Sequence, residues 1–187
     1  IWEPENMGEY MPIGQYATKT ETPPIKLALL VKSETNNNDR PKDYQLIGTT
    51  KDNMNIWKII PRNGYKSMGH ILSKNIPSIH KYRCIPHVFL VEDNLKNIFA
   101  KDISNKIKLY IWEGYESDLF LCSSLTNNNT PIDKLYKFKN SSLEISEKLN
   151  IKNTTKFEKI AQLKDISFWK PVALKNYCAI GDRKSNV

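Results

Sequence analysis

Short apolar runs separated by turn residues dominate the chain. The runs at 27–31 and 88–91 have the length of single strands. Asn63-Gly64 lies between two apolar runs, which is a typical signal of a tight hairpin. One segment, 143–149, is a weak helical candidate, because its apolar residues follow no clean period. The pattern therefore predicts an all-β fold.

Four tryptophans mark an internal repeat, with spacings of 55, 55 and 57 residues. Each tryptophan follows an isoleucine or a phenylalanine, and an aromatic residue stands eight positions after it. A glycine stands twelve positions after it, except in the third copy, which has Ser124 there. The signature residues are Trp2, Tyr10, Gly14, Trp57, Tyr65, Gly69, Trp112, Phe120, Trp169, Tyr177 and Gly181. We expect the aromatic members to be buried in the core and the glycines to mark bulges or close backbone approaches.

The repeat predicts a single domain, 1–187, with pseudo-threefold symmetry. Repeats 1–55, 56–110 and 111–167 each have room for about four strands, and the partial repeat 168–187 is expected to pair with the first unit and close the body. A closed threefold body of antiparallel sheets is a β-prism. The alternatives are one segment of a longer array, a β-trefoil, whose units are normally shorter, and a propeller, which needs more blades. We favour the β-prism-like body.

The repeat motif also resembles a known family. The stretches FWKPV at 168–172 and YCAIGD at 177–182 are similar to the W-x-P…G-Y-x-x-L-G-D signature of the vacuolar protein sorting-associated protein 62 family, which also occurs in vacuolar protein sorting 13-type proteins. The first copy fits the same signature, and the second fits except at Ile59, where proline is usual. Only the last copy keeps Gly181-Asp182, and the third keeps little beyond Trp112 and Phe120. The resemblance implies a link to vacuolar protein transport, and it brings no established biochemical activity.

Charge and cysteine content change this picture only slightly. The formal net charge is +8, which favours an acidic protein or an anionic membrane as partner, but the lysines are scattered among apolar residues like those on the solvent face of strands. Nucleic acid is therefore an unlikely partner.

Three cysteines are too few for a disulfide framework and favour a reducing compartment. We expect a cytoplasmic location. Endomembranes and the secretory pathway are alternatives, because a chain beginning at Ile1 can have lost a targeting segment.

Three groups of residues are candidate chemical sites, and each favours a structural interpretation. His80, Cys84 and His87 suit zinc but lack a fourth ligand at a standard spacing. Glu113, Glu116 and Asp118 follow Trp112 in a predicted turn, where carboxylates are ordinarily solvated. Cys122 and Cys178 lie at similar repeat positions and are expected to be buried structural thiols. Nucleotide-binding glycine loops and hydrolase motifs are absent from the sequence, so no cofactor, metal or catalytic residue is predicted.

The sequence therefore favours a non-catalytic module. We expect a protein-interaction or scaffolding role, as in a trafficking adaptor, with binding on the insertions at 33–42, 91–101, 125–130 and 140–155. The alternative is a lectin-like β-prism that binds carbohydrate or a lipid headgroup in a pocket built by loops. The shortage of glycine, with seven in the chain, makes that alternative less favoured.

Overall fold

A computed structural model describes residues 10–18, 22, 28–32, 37–50, 52–104, 107–117, 119–125, 133–139, 151–163 and 166–172. Within these ranges the chain forms strands, with one short 3-10 turn at His87–Phe89 and no α-helix. The strands are β1 (Tyr10–Pro12), β2 (Tyr16–Thr18), β3 (Ala28–Lys32), β4 (Asp43–Thr49), β5 (Asn55–Ile60), β6 (Tyr65–Lys66), β7 (His70–Ser73), β8 (Ile85–Pro86), β9 (Leu90–Glu92), β10 (Leu95–Ser104), β11 (Ile107–Gly114), β12 (Phe120–Leu125), β13 (Tyr136–Phe138), β14 (Ile151–Thr154), β15 (Phe157–Leu163) and β16 (Ile166–Pro171). The all-β prediction is confirmed.

Three antiparallel sheets form the body, and each has a tryptophan on its middle strand. The first Trp sheet is β4-β5-β7 with Trp57, the second is β10-β11-β12 with Trp112, and the third is β15-β16-β2 with Trp169. Each sheet therefore combines the strand that precedes the tryptophan strand with a third strand. That third strand follows the tryptophan in the first two sheets and comes from the amino-terminal segment in the third. The sheets straddle the boundaries of the Trp-led repeats.

The residue before each tryptophan lies in a core that all three sheets share. Ile56, Ile111 and Phe168 are at most 1% exposed and belong to one apolar cluster, together with Phe120. The rings of Phe120 and Phe168 meet edge to face with centroids 5.2 Å apart. Because one face of every Trp sheet points into this central core, the sheets enclose it as the walls of a prism.

A β-bulge recurs opposite the tryptophan in every Trp sheet. The strand register skips Ile47 in β4, Ile98 in β10 and Ile160 in β15, in each case between the residue opposite the tryptophan and the residue opposite its predecessor. All three isoleucines pack against the central core. A bulge increases the local twist of a strand, so the same device bends each wall around the core.

Shorter strand pairs cover the outer faces of the Trp sheets. The segment before a Trp sheet pairs with the segment after it: β9 with β13 for the second sheet and β14 with β3 for the third. For the first Trp sheet the corresponding contact is a single hydrogen bond: the backbone N–H of Cys84, after the sheet, donates to the carbonyl of Asp39, before it, at 2.6 Å. The strand β6, which lies between β5 and β7 in the chain, pairs with β8, and β1, which precedes β2, pairs with β3. Each Trp sheet is thus enclosed between the central core and an outer layer.

The two ends of the described chain meet in the third Trp sheet. Tyr16, Ala17 and Thr18 of β2 lie opposite Trp169, Phe168 and Ser167 of β16. Trp57 pairs with Ile71, fourteen residues later, and Trp169 pairs with Tyr16, which is fourteen residues after Trp2. The predicted pairing of the last segment with the first unit is therefore confirmed for β16, and residues 173–187 lie outside the described residues.

The second Trp sheet has a shorter hairpin than the first, and this changes the alignment of Phe120. Trp112 pairs with Leu121, nine residues later rather than fourteen. Phe120 consequently stands where His70 stands in the first sheet, and it opens β12. Tyr65 instead opens β6, the short strand that pairs with β8. The sequence alignment of Phe120 with Tyr10 and Tyr65 matched residue type and missed a five-residue deletion in the turn.

The tryptophans differ in exposure more than the repeat suggests. Trp112 and Trp169 are 8% and 6% exposed, as expected for core residues. Trp57 is only partly buried, and its indole N–H donates to the carbonyl of Ser73, at 3.2 Å. Trp2 lies outside the described residues, as do Tyr177 and Gly181.

Gly14 and Gly69 confirm the predicted close backbone approach. A Cβ atom on Gly69 would lie 2.7 Å from the carbonyl oxygen of Phe120, and one on Gly14 would meet the carbonyl of Met68. Gly69 also has a φ of +96°, which side chains other than glycine rarely adopt. Glycine at these positions lets the units meet.

Candidate functional site

The structure does not bring His80, Cys84 and His87 together as a metal site. Cys84 is fully buried, and burial raises the pKa of its thiol to about 12, so the thiol stays neutral. His80 and His87 are exposed. Across the part of the chain that the structure describes, no group of three or more histidine, cysteine or acidic residues is arranged to hold a metal ion.

The acidic residues after Trp112 have partners on neighbouring strands. Glu113 lies 2.9 Å from the amine of Lys96, and Glu116 pairs with Lys137. The turn that carries Glu116 is capped by the buried Asp93, whose carboxylate accepts the backbone N–H groups of residues 116 and 117 at 3.2 and 2.8 Å. Asp118 lies outside the described residues. These contacts hold the short hairpin of the second Trp sheet in place.

The two remaining cysteines were expected to be structural thiols. Cys122 is placed by its backbone alone, opposite Ile111 in β12. Cys178 lies outside the described residues.

Sequence reasoning missed a buried ion pair beside Cys84. Asp39 and Arg83 are each 2% exposed, and the Arg83 Nε lies 3.1 Å from the Asp39 carboxylate. Arg83 Nη1 also donates to the carbonyls of His80 and Tyr82, at 3.1 and 2.9 Å. Burial lowers the pKa of Arg83, and the charge of Asp39 opposes that shift. The pair fixes the segment before the first Trp sheet to the segment after it.

A second buried network joins the amino-terminal segment to the first Trp sheet. The Gln15 side chain accepts the Leu72 N–H at 2.9 Å and donates to the hydroxyl of Tyr82 at 2.7 Å. Burial raises the pKa of Tyr82, so its hydroxyl stays protonated. Gln15 directly precedes β2, so this network helps to align that strand.

A third cluster links the first Trp sheet to the segment after the second. His70 Nε2 lies 3.1 Å from Asp133 Oδ2, and Lys58 pairs with the other oxygen of the same carboxylate. The hydrogen bond to His70, aided by Lys58, lowers the pKa of Asp133 to about 2. His70 is 3% exposed. We interpret this cluster as an inter-unit tether.

One exposed surface is assembled from two different units. Backbone contacts join its three segments: the N–H and Nδ1 of His87 each lie 2.9 Å from the carbonyl of Gly64, and the N–H of Lys139 donates to the carbonyl of Phe89 at 3.0 Å. The Lys66 amine lies 5.5 Å from the centre of the Tyr136 ring. We call this the hairpin surface. Its residues are Arg62, Lys66, His87, Val88, Tyr136 and Lys139.

The hairpin surface carries an excess of positive charge. The three segments that build it, 61–66, 86–89 and 136–139, contain no aspartate or glutamate. Glu116 pairs with Lys137, and Glu92, which lies opposite Tyr136 in the strand pair, pairs with Lys134. Val88 stands between His87 and Phe89, which make the backbone contacts to the other two segments, and 53% of its surface is exposed. Charge and exposed apolar area thus coincide here.

The segments predicted to be binding loops are only partly loops in the structure. The segment 91–101 is not a loop, because β9 and β10 occupy most of it. Its polar residues resemble a loop in sequence, but they lie on exposed strand faces and at the buried Asp93 cap. The described part of 33–42 packs against 81–86 through the Asp39 contacts. Residues 33–36, 126–130 and 140–150 lie outside the described residues.

Comparisons with known proteins give one likeness, and it concerns the fold. The chain resembles the crystal structure of GNIP1Aa from Chromobacterium piscinae with a TM-score of 0.55 and 15% sequence identity. The match covers 79% of this chain and 34% of that one, so the chain spans about a third of the length of its structural neighbour. The comparisons with protein families and with curated proteins find no match. The likeness at this identity supports the all-β architecture alone.

The hydropathy of the described residues adds one further observation. No helix in those ranges is long and apolar enough to span a bilayer.

Proposed function

We propose that this protein is a non-catalytic protein-interaction module with a scaffolding or adaptor role. The observation that carries the proposal is the hairpin surface, where exposed cations and the exposed Val88 come from segments of two units held together by backbone hydrogen bonds. A rigid frame that presents charged and apolar groups side by side has the composition of a protein-binding patch.

The distribution of repeated residues supports the same proposal. Residues that recur in every unit, such as those before the tryptophans and the bulged isoleucines, are used in the core. Exposed apolar residues occur instead at positions that do not recur: Leu46, Ile76, Ile79, Val88, Val91 and Tyr115. Repeat proteins ordinarily bind through such variable positions while the frame stays constant.

The buried ionisable groups fit structural roles. Asp39 neutralises Arg83, and Asp133 of one unit pairs with His70 and Lys58 of another. Each carboxylate thus holds two segments of the chain together, which is the use that a scaffold makes of buried charge.

A trafficking role is the biological setting that we propose. It rests on the likeness of the repeat motifs to the vacuolar protein sorting-associated protein 62 family, and it implies a cytoplasmic protein that works near endomembranes.

The second candidate is a module that binds a glycan or an anionic lipid headgroup. The excess cations of the hairpin surface favour this candidate too, because phosphate groups are recognised by lysine and arginine.

Three parallel binding measurements on the full chain test the proposal. Chemical cross-linking in the source cell, followed by reconstitution with the purified partner, is expected to give a saturable protein complex. A glycan array and sedimentation with phosphatidylserine vesicles serve as the competing measurements. Saturable binding to a glycan or to vesicles, with no cross-linked protein that binds again after purification, would overturn the proposal in favour of the second candidate.

A further inference from the structure

We propose that the hairpin surface binds an extended, acidic segment of a partner protein. This inference rests on the proposed function and specifies its partner. The surface is made by the turn 61–64 with β6, by the residues after β8, and by β13. Its occupant is identified by charge complementarity and by the shape of the surface.

The charge complementarity rests on three cations that lie on two of the connected segments. Arg62 and Lys139 are exposed, and Lys66 is partly buried against the Tyr136 ring. The fold brings them together through the contact of His87 with Gly64 and that of Lys139 with Phe89. Carboxylates along an extended peptide can pair with cations on neighbouring segments, and arginine can bind a carboxylate through two hydrogen bonds.

Aromatic and apolar groups give the surface a second property that suits a peptide. Tyr136 is partly buried, so it offers part of its ring to a ligand. Lys66 lies beside Tyr136, and Val88 is 53% exposed. Tyrosine and arginine are enriched at the centres of protein interfaces, where they combine apolar area with hydrogen-bonding groups.

The surface is also held in place before any partner arrives. The N–H of Tyr65 donates to the carbonyl of Arg62 at 3.1 Å and closes the turn, and two nitrogens of His87 hold the carbonyl of Gly64. A pre-organised surface loses little conformational entropy on binding. The partner segment then bears most of the ordering cost, as expected for an extended peptide.

The amount of exposed apolar surface favours a protein over a membrane. Within the hairpin surface Val88 is the one strongly exposed apolar side chain, because Tyr136 is partly buried. Membrane-surface binding uses larger apolar groups that insert among the acyl chains. A single valine beside cations fits the edge of a peptide better than it fits a bilayer.

Binding of a synthetic peptide tests the inference independently of the natural partner. The probe is a fluorescein-labelled peptide of about ten residues that alternates glutamate with valine, and its control has glutamine in place of glutamate. We compare the full chain with the double variant R62E/K139E. The matched control is K74E/K156E, which reverses two exposed lysines on other segments and gives the same net charge.

The expected result has three parts. The glutamate peptide binds the full chain and the K74E/K156E variant, the R62E/K139E variant binds about tenfold more weakly, and added salt weakens binding. Equal weakening of both variants, or equal binding of the glutamine peptide, would overturn the inference. Equal melting temperatures of the two variants establish that each remains folded.

Two other outcomes separate this inference from the proposed function. No binding of the glutamate peptide, while the cross-linked cellular partner still binds, contradicts the acidic segment and leaves the protein-interaction role intact. Binding to phosphatidylserine vesicles that is lost in R62E/K139E, without binding to the peptide, assigns the surface to a membrane and contradicts both.

Discussion

At the scale of single residues, the position before each tryptophan determines the architecture more than the tryptophan itself. Ile56, Ile111 and Phe168 come from three sheets and meet in one core. Trp57 lies on the opposite face of its sheet and is only partly buried. The sequence identified both positions as recurrent, but the spacing alone could not say which one faces the shared core, because adjacent strand residues point to opposite faces.

Replacing Phe168 by alanine should destabilise the protein more than replacing Trp57. Phe168 is fully buried and contacts Phe120, so F168A should lower the free energy of unfolding by about 3–5 kcal/mol. W57A should cost less, because part of the indole stays in contact with water in the native state. Urea unfolding of both variants measures the difference. A larger loss for W57A would contradict the position of the shared core.

Gly69 and Gly64 allow a test of the close approach between units. Both have a positive φ, +96° and +83°, so alanine at either position costs about 1–2 kcal/mol of backbone strain. At Gly69 the new Cβ would also lie 2.7 Å from the Phe120 carbonyl, whereas no atom lies within 4 Å at Gly64. We therefore expect G69A to lower the melting temperature clearly more than G64A. Equal shifts would show that the two units do not meet at Gly69.

Asp133 should give the fold a specific acid sensitivity. Its folded pKa of about 2 lies below the ordinary value of 3.8, so its contacts with His70 and Lys58 stabilise the protein above about pH 4 and are lost as the pH falls toward 2. D133N should flatten the dependence of stability on pH in that window, and D52N, on an exposed turn, should leave it unchanged. Stability measured by urea unfolding between these pH values checks the effect. An unchanged slope in D133N would contradict the tether.

At the scale of elements, the repeated unit is a bulged sheet with an outer strand pair. Ile47, Ile98 and Ile160 occupy the same bulge, yet they stand ten, fourteen and nine positions before their tryptophans. Turn length varies between units, so a fixed-offset comparison of the sequence could not align them. For the same reason, the short hairpin of the second sheet caused the repeat alignment to match Phe120 with Tyr65, although Phe120 occupies the position of His70 in the first sheet.

Deleting a bulge residue should cost more than trimming it. I47V keeps the register of β4 and should lower the free energy of unfolding by about 0.5–1.5 kcal/mol. Deleting Ile47 instead keeps Leu46 opposite Trp57 and Gly48 opposite Ile56, so it removes both the bulge that twists β4 and a side chain packed against the central core. We expect that variant to lose more stability than I47V, by about 2–5 kcal/mol. Cooperative unfolding with a loss no greater than that of I47V would show that the bulge is dispensable.

At the scale of the whole molecule, the sequence predicted the threefold body and its closure but not the candidate site. The spacing of the tryptophans and the return of the motif at Trp169 were enough to predict that the last segment pairs with the first unit. The hairpin surface joins 61–66 to 136–139, about seventy residues apart in sequence. That juxtaposition depends on how two units pack, and neither segment carries a local motif. The buried pair of Asp39 and Arg83 was missed for the same reason.

Closure of the third Trp sheet by the two ends of the described chain is the central claim, and NMR spectroscopy can measure it directly. The account predicts cross-strand nuclear Overhauser effects between Thr18 and Ser167, Ala17 and Phe168, and Tyr16 and Trp169, within one molecule at low protein concentration. A sample that mixes isotope-labelled and unlabelled chains distinguishes contacts within a chain from contacts between chains. Absence of these contacts with both segments assigned, or their appearance only between different molecules, would contradict the closed threefold body.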